Sequence, residues 1–170
     1  NFFFFLIRIL NIQRVFIQNS VILEENFVIR SIFFTPGKPP RTDISPSDYH
    51  RLLRDRRGLL WVDFTSEPEE TSLPILQAFN FHPLAIEDAL QQTHAPKIDD
   101  WGDYLYIVLN YMHLVKDPDP WDTEIDELDI FLGKNFVITH HDNPLAAIDN
   151  VWTLSQRDPR YSVDGADHLL

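Results

Sequence analysis

The stretch YLYIVLNYMHLV, from Tyr104 to Val115, decides the fold. Successive side chains of a β-strand point to opposite faces of the sheet. Tyr104, Tyr106, Val108 and Met112 therefore share one face, and Leu105, Ile107, Leu109 and Tyr111 share the other. Both sets are apolar. A strand with one wet face alternates apolar with polar residues, whereas a strand covered on both sides does not. The stretch thus predicts a sheet with helices on both faces, an α/β/α sandwich. It also predicts that Leu105, Tyr106, Ile107 and Val108 are all buried.

Working outward, Phe27 to Phe34 (FVIRSIFF) is β-branched and aromatic and reads as a strand. Residues 35–44 hold three prolines and a glycine and read as a loop. Ser45-Pro46-Ser47-Asp48 opens a helix expected to reach Arg57 and stop at Gly58: Ser45 can cap, Pro46 suits the first position, and Asp48 complements the dipole. Leu59 to Phe64 is a second strand. Pro74 would break a helix interior at about 3 kcal/mol, so the next helix is placed from Thr71. His82-Pro83 opens another, running to Gln92. After a Pro/Asp loop at 116–123, Ile125–Leu132 and Phe136–His140 form a hairpin through Gly133-Lys134-Asn135. A helix follows from Asn143-Pro144 through Trp152. A further one opens at Asp164 and is expected to continue past Leu170.

Composition narrows the function. The chain has 170 residues, enough for one domain, with 44% hydrophobic residues and a net charge of −12. Phosphate neutralisation needs a basic surface, so a nucleic-acid partner is not expected, nor is peripheral binding to anionic lipid. An acidic surface attracts cations. No cysteine is present, which excludes disulfides, thiolate metal sites and cysteine nucleophiles. The first 30 residues hold three Arg and two Glu, so the acid excess lies beyond them. Residues 1–27 differ in kind, beginning with Phe2 to Phe5, and read as an atypical extension to a domain at 28–170. Extra strands and a membrane anchor are the alternatives, although Arg8, Asn11, Gln13 and Arg14 interrupt any apolar span.

No phosphate loop, dinucleotide fingerprint or Gly-x-Ser-x-Gly elbow occurs, and no catalytic residue is assigned. His140-His141-Asp142 matches no zinc signature, and adjacent strand residues face opposite ways. These histidines are therefore read as structural, and His82 as a helix-opening residue. Seven acids lie between Asp117 and Asp129. They read as a solvated loop and strand edge, with a cation-concentrating surface as the alternative. Glu87 and Asp88, early in the His82-Pro83 helix, carry the hard oxygens that Mg²⁺ and Ca²⁺ require. A metal-dependent hydrolase built on His82, Glu87, Asp88, His140 and Asp142 would need those groups to converge.

Three blocks together resemble the cytosolic domain of the CorA family of magnesium and cobalt channels. They are Phe81 to Leu90 (FHPLAIEDAL), Ala95 to Leu109 (APKIDDWGDYLYIVL) and Glu127 to Thr139 (ELDIFLGKNFVIT). Trp61-Val62-Asp63 fits the strand before the first block, and Ala166 to Leu170 (ADHLL) resembles the entrance to the family's next helix.

The resemblance implies an α/β/α domain with a mixed sheet, followed by a stalk helix and two membrane helices bearing a Gly-Met-Asn signature. Met112 is the only methionine and lies outside that signature, so this chain is not expected to conduct ions alone. It would be the cytoplasmic regulatory domain of an inner or plasma membrane pentamer whose closed state is favoured by Mg²⁺. An acid of the Glu-Asp pair faces an acid of the neighbouring subunit's stalk in that family, with metal between them. This carries over to Asp88, with Glu87 as second candidate. Mg²⁺ is the implied regulatory ion, weakly bound by the isolated domain, and Co²⁺ a further one. A zinc-transporting branch has the same architecture and remains an alternative. So does a soluble interaction module without a metal role.

Overall fold

The computed structural model describes residues 28–91, 95–114, 123–157 and 165–169. The extension at 1–27 lies outside them, as do Asp117, Asp119 and Asp122 of the acidic run. Among the described residues, seven strands form one sheet: β1 (Val28–Phe34), β2 (Arg41–Thr42), β3 (Leu59–Thr65), β4 (Lys97–Asp100), β5 (Tyr104–Leu114), β6 (Thr123–Gly133) and β7 (Phe136–His141). Their spatial order is β2-β1-β3-β7-β6-β5-β4. β3 and β7 pair in parallel, and every other pair is antiparallel. The sheet is therefore mixed. The helices are α1 (Tyr49–Leu53), α2 (Glu69–Ala78), α3 (Pro83–Gln91) and α4 (Ala146–Ser155), with 3-10 turns at Pro46–Asp48 and Ala166–Leu169.

Two cores lie on opposite faces. On the first face Phe33, Leu60, Val62, Phe64, Tyr106, Val108, Phe131 and Ile138 pack with residues of α1, α2 and α3. On the second face Ile32, Trp61, Ile130 and Val137 pack with Ile148 and Trp152 of α4 and with Ala166 and Leu169. The two-sided architecture read from β5 is the one observed.

Its completeness on β5 is not. Tyr106 and Val108 are buried, but on the opposite face Leu105 and Ile107 are only half-buried and Leu109 is exposed. The second-face layer is built over β1, β3, β6 and β7, whose residues dominate that core. The β4–β5 end of the face lies at its margin, where Ile98 of β4 is exposed as well.

Several boundaries also differ. α1 ends at Leu53, not Arg57, because Tyr49 and Leu52 are its buried residues and an Arg/Asp-rich turn follows. Ser45 makes no capping bond and instead pairs its hydroxyl with Ser47 at 2.9 Å. α2 starts at Glu69, with Pro68 as its N-cap, and carries Pro74 inside on its exposed side. It closes through Asn80, whose φ of 60° is the left-handed conformation asparagine tolerates. The edge strands β2 and β4 carry no hydrophobic run to signal them. Short, charged edges discourage pairing with other chains.

Candidate metal site

α3 buries Ala85, Ile86 and Ala89 against the first face. That stripe fixes where its two acids go, since neighbours in sequence do not share a helix side. Glu87 is exposed and lines a groove of about 380 Å³ between α2 and α3, with Glu69, Gln77 and Asn80. Asp88 leans the other way, over β4. Its carboxylate accepts a hydrogen bond from Nζ of Lys97, and the same ammonium lies 3.0 Å from Asp99. Lys97 also sits 5.2 Å over the Tyr106 ring. The Asp88 hydrogen bond, against some burial, holds the Lys97 ammonium above its ordinary pKa. Sequence reasoning placed Asp88 and Glu87 on α3 but did not find Lys97 as the partner. β4 is a short, mostly charged strand without a sequence signal, and the contact depends on its register.

Beneath α3 the acidic run behaves unlike a solvated edge. β6 is an interior strand, and Glu127 and Asp129 are buried on the first face. Tyr106 Oη donates to Asp129 at 2.5 Å. Burial pushes the Asp129 carboxyl up to about 8; the Tyr106 bond opposes this, while the charges of Glu127, Asp142 and Asp88 add to it. Asp126 is half-buried and accepts from Asn143 Nδ2 at 2.8 Å.

The two histidines face opposite ways, as alternation requires. His140 packs near Phe64 on the first face, and its Nε2 has no hydrogen-bond partner among the described residues. Burial holds its pKa down. His141 lies on the second face in a buried network centred on Asp63. Asp63 accepts from Arg30 Nε at 2.8 Å, from Thr139 Oγ1, and from His141 Nε2 at 3.2 Å. The other ring nitrogen of His141 is 2.7 Å from the carbonyl of Asn143. Both nitrogens thus face acceptors, which only the imidazolium satisfies. Burial opposes that charge, but Asp63 and the carbonyl outweigh it and raise the His141 pKa. Asp63 is likewise pushed up by burial and pulled further down by His141, Thr139 and Arg30. Arg30 continues to Asp149 of α4 at 2.7 Å. The signal for this network was Asp63 inside the apolar run LLWVDF, since a buried charge needs partners. His82 opens α3 as expected, its Nδ1 accepting from Leu84 N at 3.2 Å and its ring stacked on Trp101.

Among the described residues, no three His, Asp or Glu side chains are placed to hold a metal ion. The hydrolase set is therefore not assembled. Residues 56–164 match the family model described as CorA-like Mg²⁺ transporter protein.

The chain belongs to the CorA-like family.

A relative within reach is YfjQ of Bacillus subtilis, named as a metal ion transporter and 36% identical over 110 residues. The match takes in 64% of this chain but 32% of YfjQ, so the chain spans about a third of that relative's length. The soluble domain of CorA from Methanocaldococcus jannaschii has the same fold, with a TM-score of 0.57 at 19% identity over 79% of this chain and 50% of that one. The cytoplasmic domain of ZntB from Vibrio parahaemolyticus gives a TM-score of 0.51 at 12% identity over 75% and 48%. The CorA-like domain here places its resemblance-bearing blocks on α3, on β4–β5 and on the β6–β7 hairpin. None of its described helices is long and apolar enough to cross a membrane.

Proposed function

We propose that this chain is the cytosolic metal-sensing domain of a CorA-type Mg²⁺/Co²⁺ channel, acting within a homo-oligomer, a pentamer in the family it resembles. The observation that carries the reading is Asp88. It projects half-exposed from α3, outside the buried cores, within one of the three blocks that resemble the family. One carboxylate offers one or two oxygens, and Mg²⁺ takes six while keeping several waters. A second carboxylate from a neighbouring subunit completes the pair, with Glu87 the nearest further acid on α3. Facing carboxylates repel, and a divalent ion between them turns repulsion into a bridge that favours the closed assembly. Residues 1–27 contribute nothing to this role.

The test uses the full-length protein. Mg²⁺ should protect it from protease, and Asp88→Ala should remove most of that protection while leaving the fold intact. Unchanged protection in Asp88→Ala would end the assignment. A zinc-transporting version of the same device is the second reading, which Zn²⁺ in place of Mg²⁺ in the same assay would reveal.

A further inference from the structure

We infer that Lys97 is a tethered cation seated where a divalent ion would approach Asp88, so that metal reaches this carboxylate only in competition with the chain's own ammonium. The inference rests on the reading of Asp88 given above and adds what sets its sensitivity.

Lys97 is not a loose surface lysine. Its backbone is held by the pairing of β4 with β5, where it lies opposite Val108. Lys97 and Asp99 share the first face because they are two residues apart on a strand. That face is the one α3 covers, so Asp88 and Asp99 reach one ammonium from two different elements. The aromatic face of Tyr106 lies below the same nitrogen and favours a cation there. Two carboxylates converging on one point form an oxygen-lined seat, and the seat is filled.

A divalent ion bound to the same oxygens would lie within a few ångströms of the Lys97 charge. Unit charges that close repel strongly at the effective dielectric of a half-exposed site. Mg²⁺ must therefore displace the ammonium or settle for the outer oxygen of Asp88. Either weakens binding by about tenfold or more. With Lys97 replaced by a neutral residue, Asp88 and Asp99 would face each other without a counter-ion and should attract one.

The experiment titrates this 170-residue chain with Mn²⁺, following water-proton relaxation, and then displaces the Mn²⁺ with Mg²⁺. Lys97→Met should tighten Mn²⁺ by about tenfold or more, and Asp88→Asn added to it should cancel the gain. Lys97→Gln keeps a hydrogen-bond donor at Asp88 and should give the same gain, covering the case in which the Met variant does not fold. Affinity unchanged in both folded Lys97 variants would overturn the inference. So would no binding in either, or a gain that survives Asp88→Asn. The two readings fail separately. If the Lys97 variants change nothing while full-length Asp88→Ala loses Mg²⁺ protection, sensing at Asp88 stands and the competition does not. If Lys97 variants tighten Mn²⁺ through Asp88 while full-length protection ignores Asp88, the seat stands and the gating role falls.

Discussion

Val108 is 1% exposed in the core beneath the first helical layer. Val108→Asp would place a charge there beside its cross-strand neighbour Asp129, while Lys97 on the other side is already held by Asp88 and Asp99. The expected loss is about 4 kcal/mol or more, enough to unfold a domain of ordinary stability. A urea midpoint within error of the parent would contradict the two-sided packing. Asp129 makes the opposite point, since it is an acid kept protonated by its surroundings. Its folded pKa of about 8 stands above the ordinary carboxyl value of 3.8. The folded state therefore holds a proton that the unfolded state releases between those values. The resulting stability is complete below about pH 4 and is lost as pH rises through about 8. Asp129→Asn keeps an acceptor for Tyr106 Oη and removes this dependence. Relative to the parent it should gain about 1 kcal/mol or more between pH 5 and pH 8. Urea unfolding at the two pH values measures this, and an equal difference at both would refute the assignment.

At the scale of elements, the turn between α1 and β3 shows why a residue can be read correctly and for the wrong reason. Gly58 reads as a helix stop, yet α1 ends five residues earlier. Its actual constraint is steric, because a Cβ there would lie 2.2 Å from the ring of Phe33. That ring is buried and cannot swing aside without disturbing the first-face core. Gly58→Ala should therefore cost about 1–3 kcal/mol through overpacking, seen as a lower melting temperature. A compensating Phe33→Leu should recover part of it. No recovery would place the strain in the backbone instead. The β6–β7 hairpin was legible because its turn is short and flanked by β-formers. β2 and β4 were not, because strands of two and four residues, charged or polar but for Ile98, acquire their structure only from a neighbour's edge.

Across the whole molecule, the network around Asp63 ties β1, β3 and β7 to α4 and gives the fold its pH limits. The Asp63 carboxylate is held below its ordinary range, so its contribution is present above about pH 4 and is lost as pH falls through its lowered value. The His141 pKa is raised, so its contribution is complete below about pH 6.5 and is lost as pH rises through the higher folded value. In an Asp129→Asn background the remaining alkaline loss of stability should belong largely to His141. His141→Gln should lower stability at pH 6 and flatten the curve above it, as thermal melts from pH 5 to 9 would show. A curve of unchanged slope would assign the titration elsewhere. The sequence by itself determined the layers, because strand alternation and helix stripes are local and each fixes which side chains must leave water. It also determined that His140 and His141 could not share an ion, and that Asp88 and Glu87 would part on α3. Only the tertiary structure decided the partners. Asp63 meets His141, 78 residues away, because β3 and β7 happen to run in parallel register. Asp88 meets Lys97 because β4 takes the edge beneath α3. Those distances are set by strand order and register, and the local pattern of the chain leaves several orders open until the sheet forms.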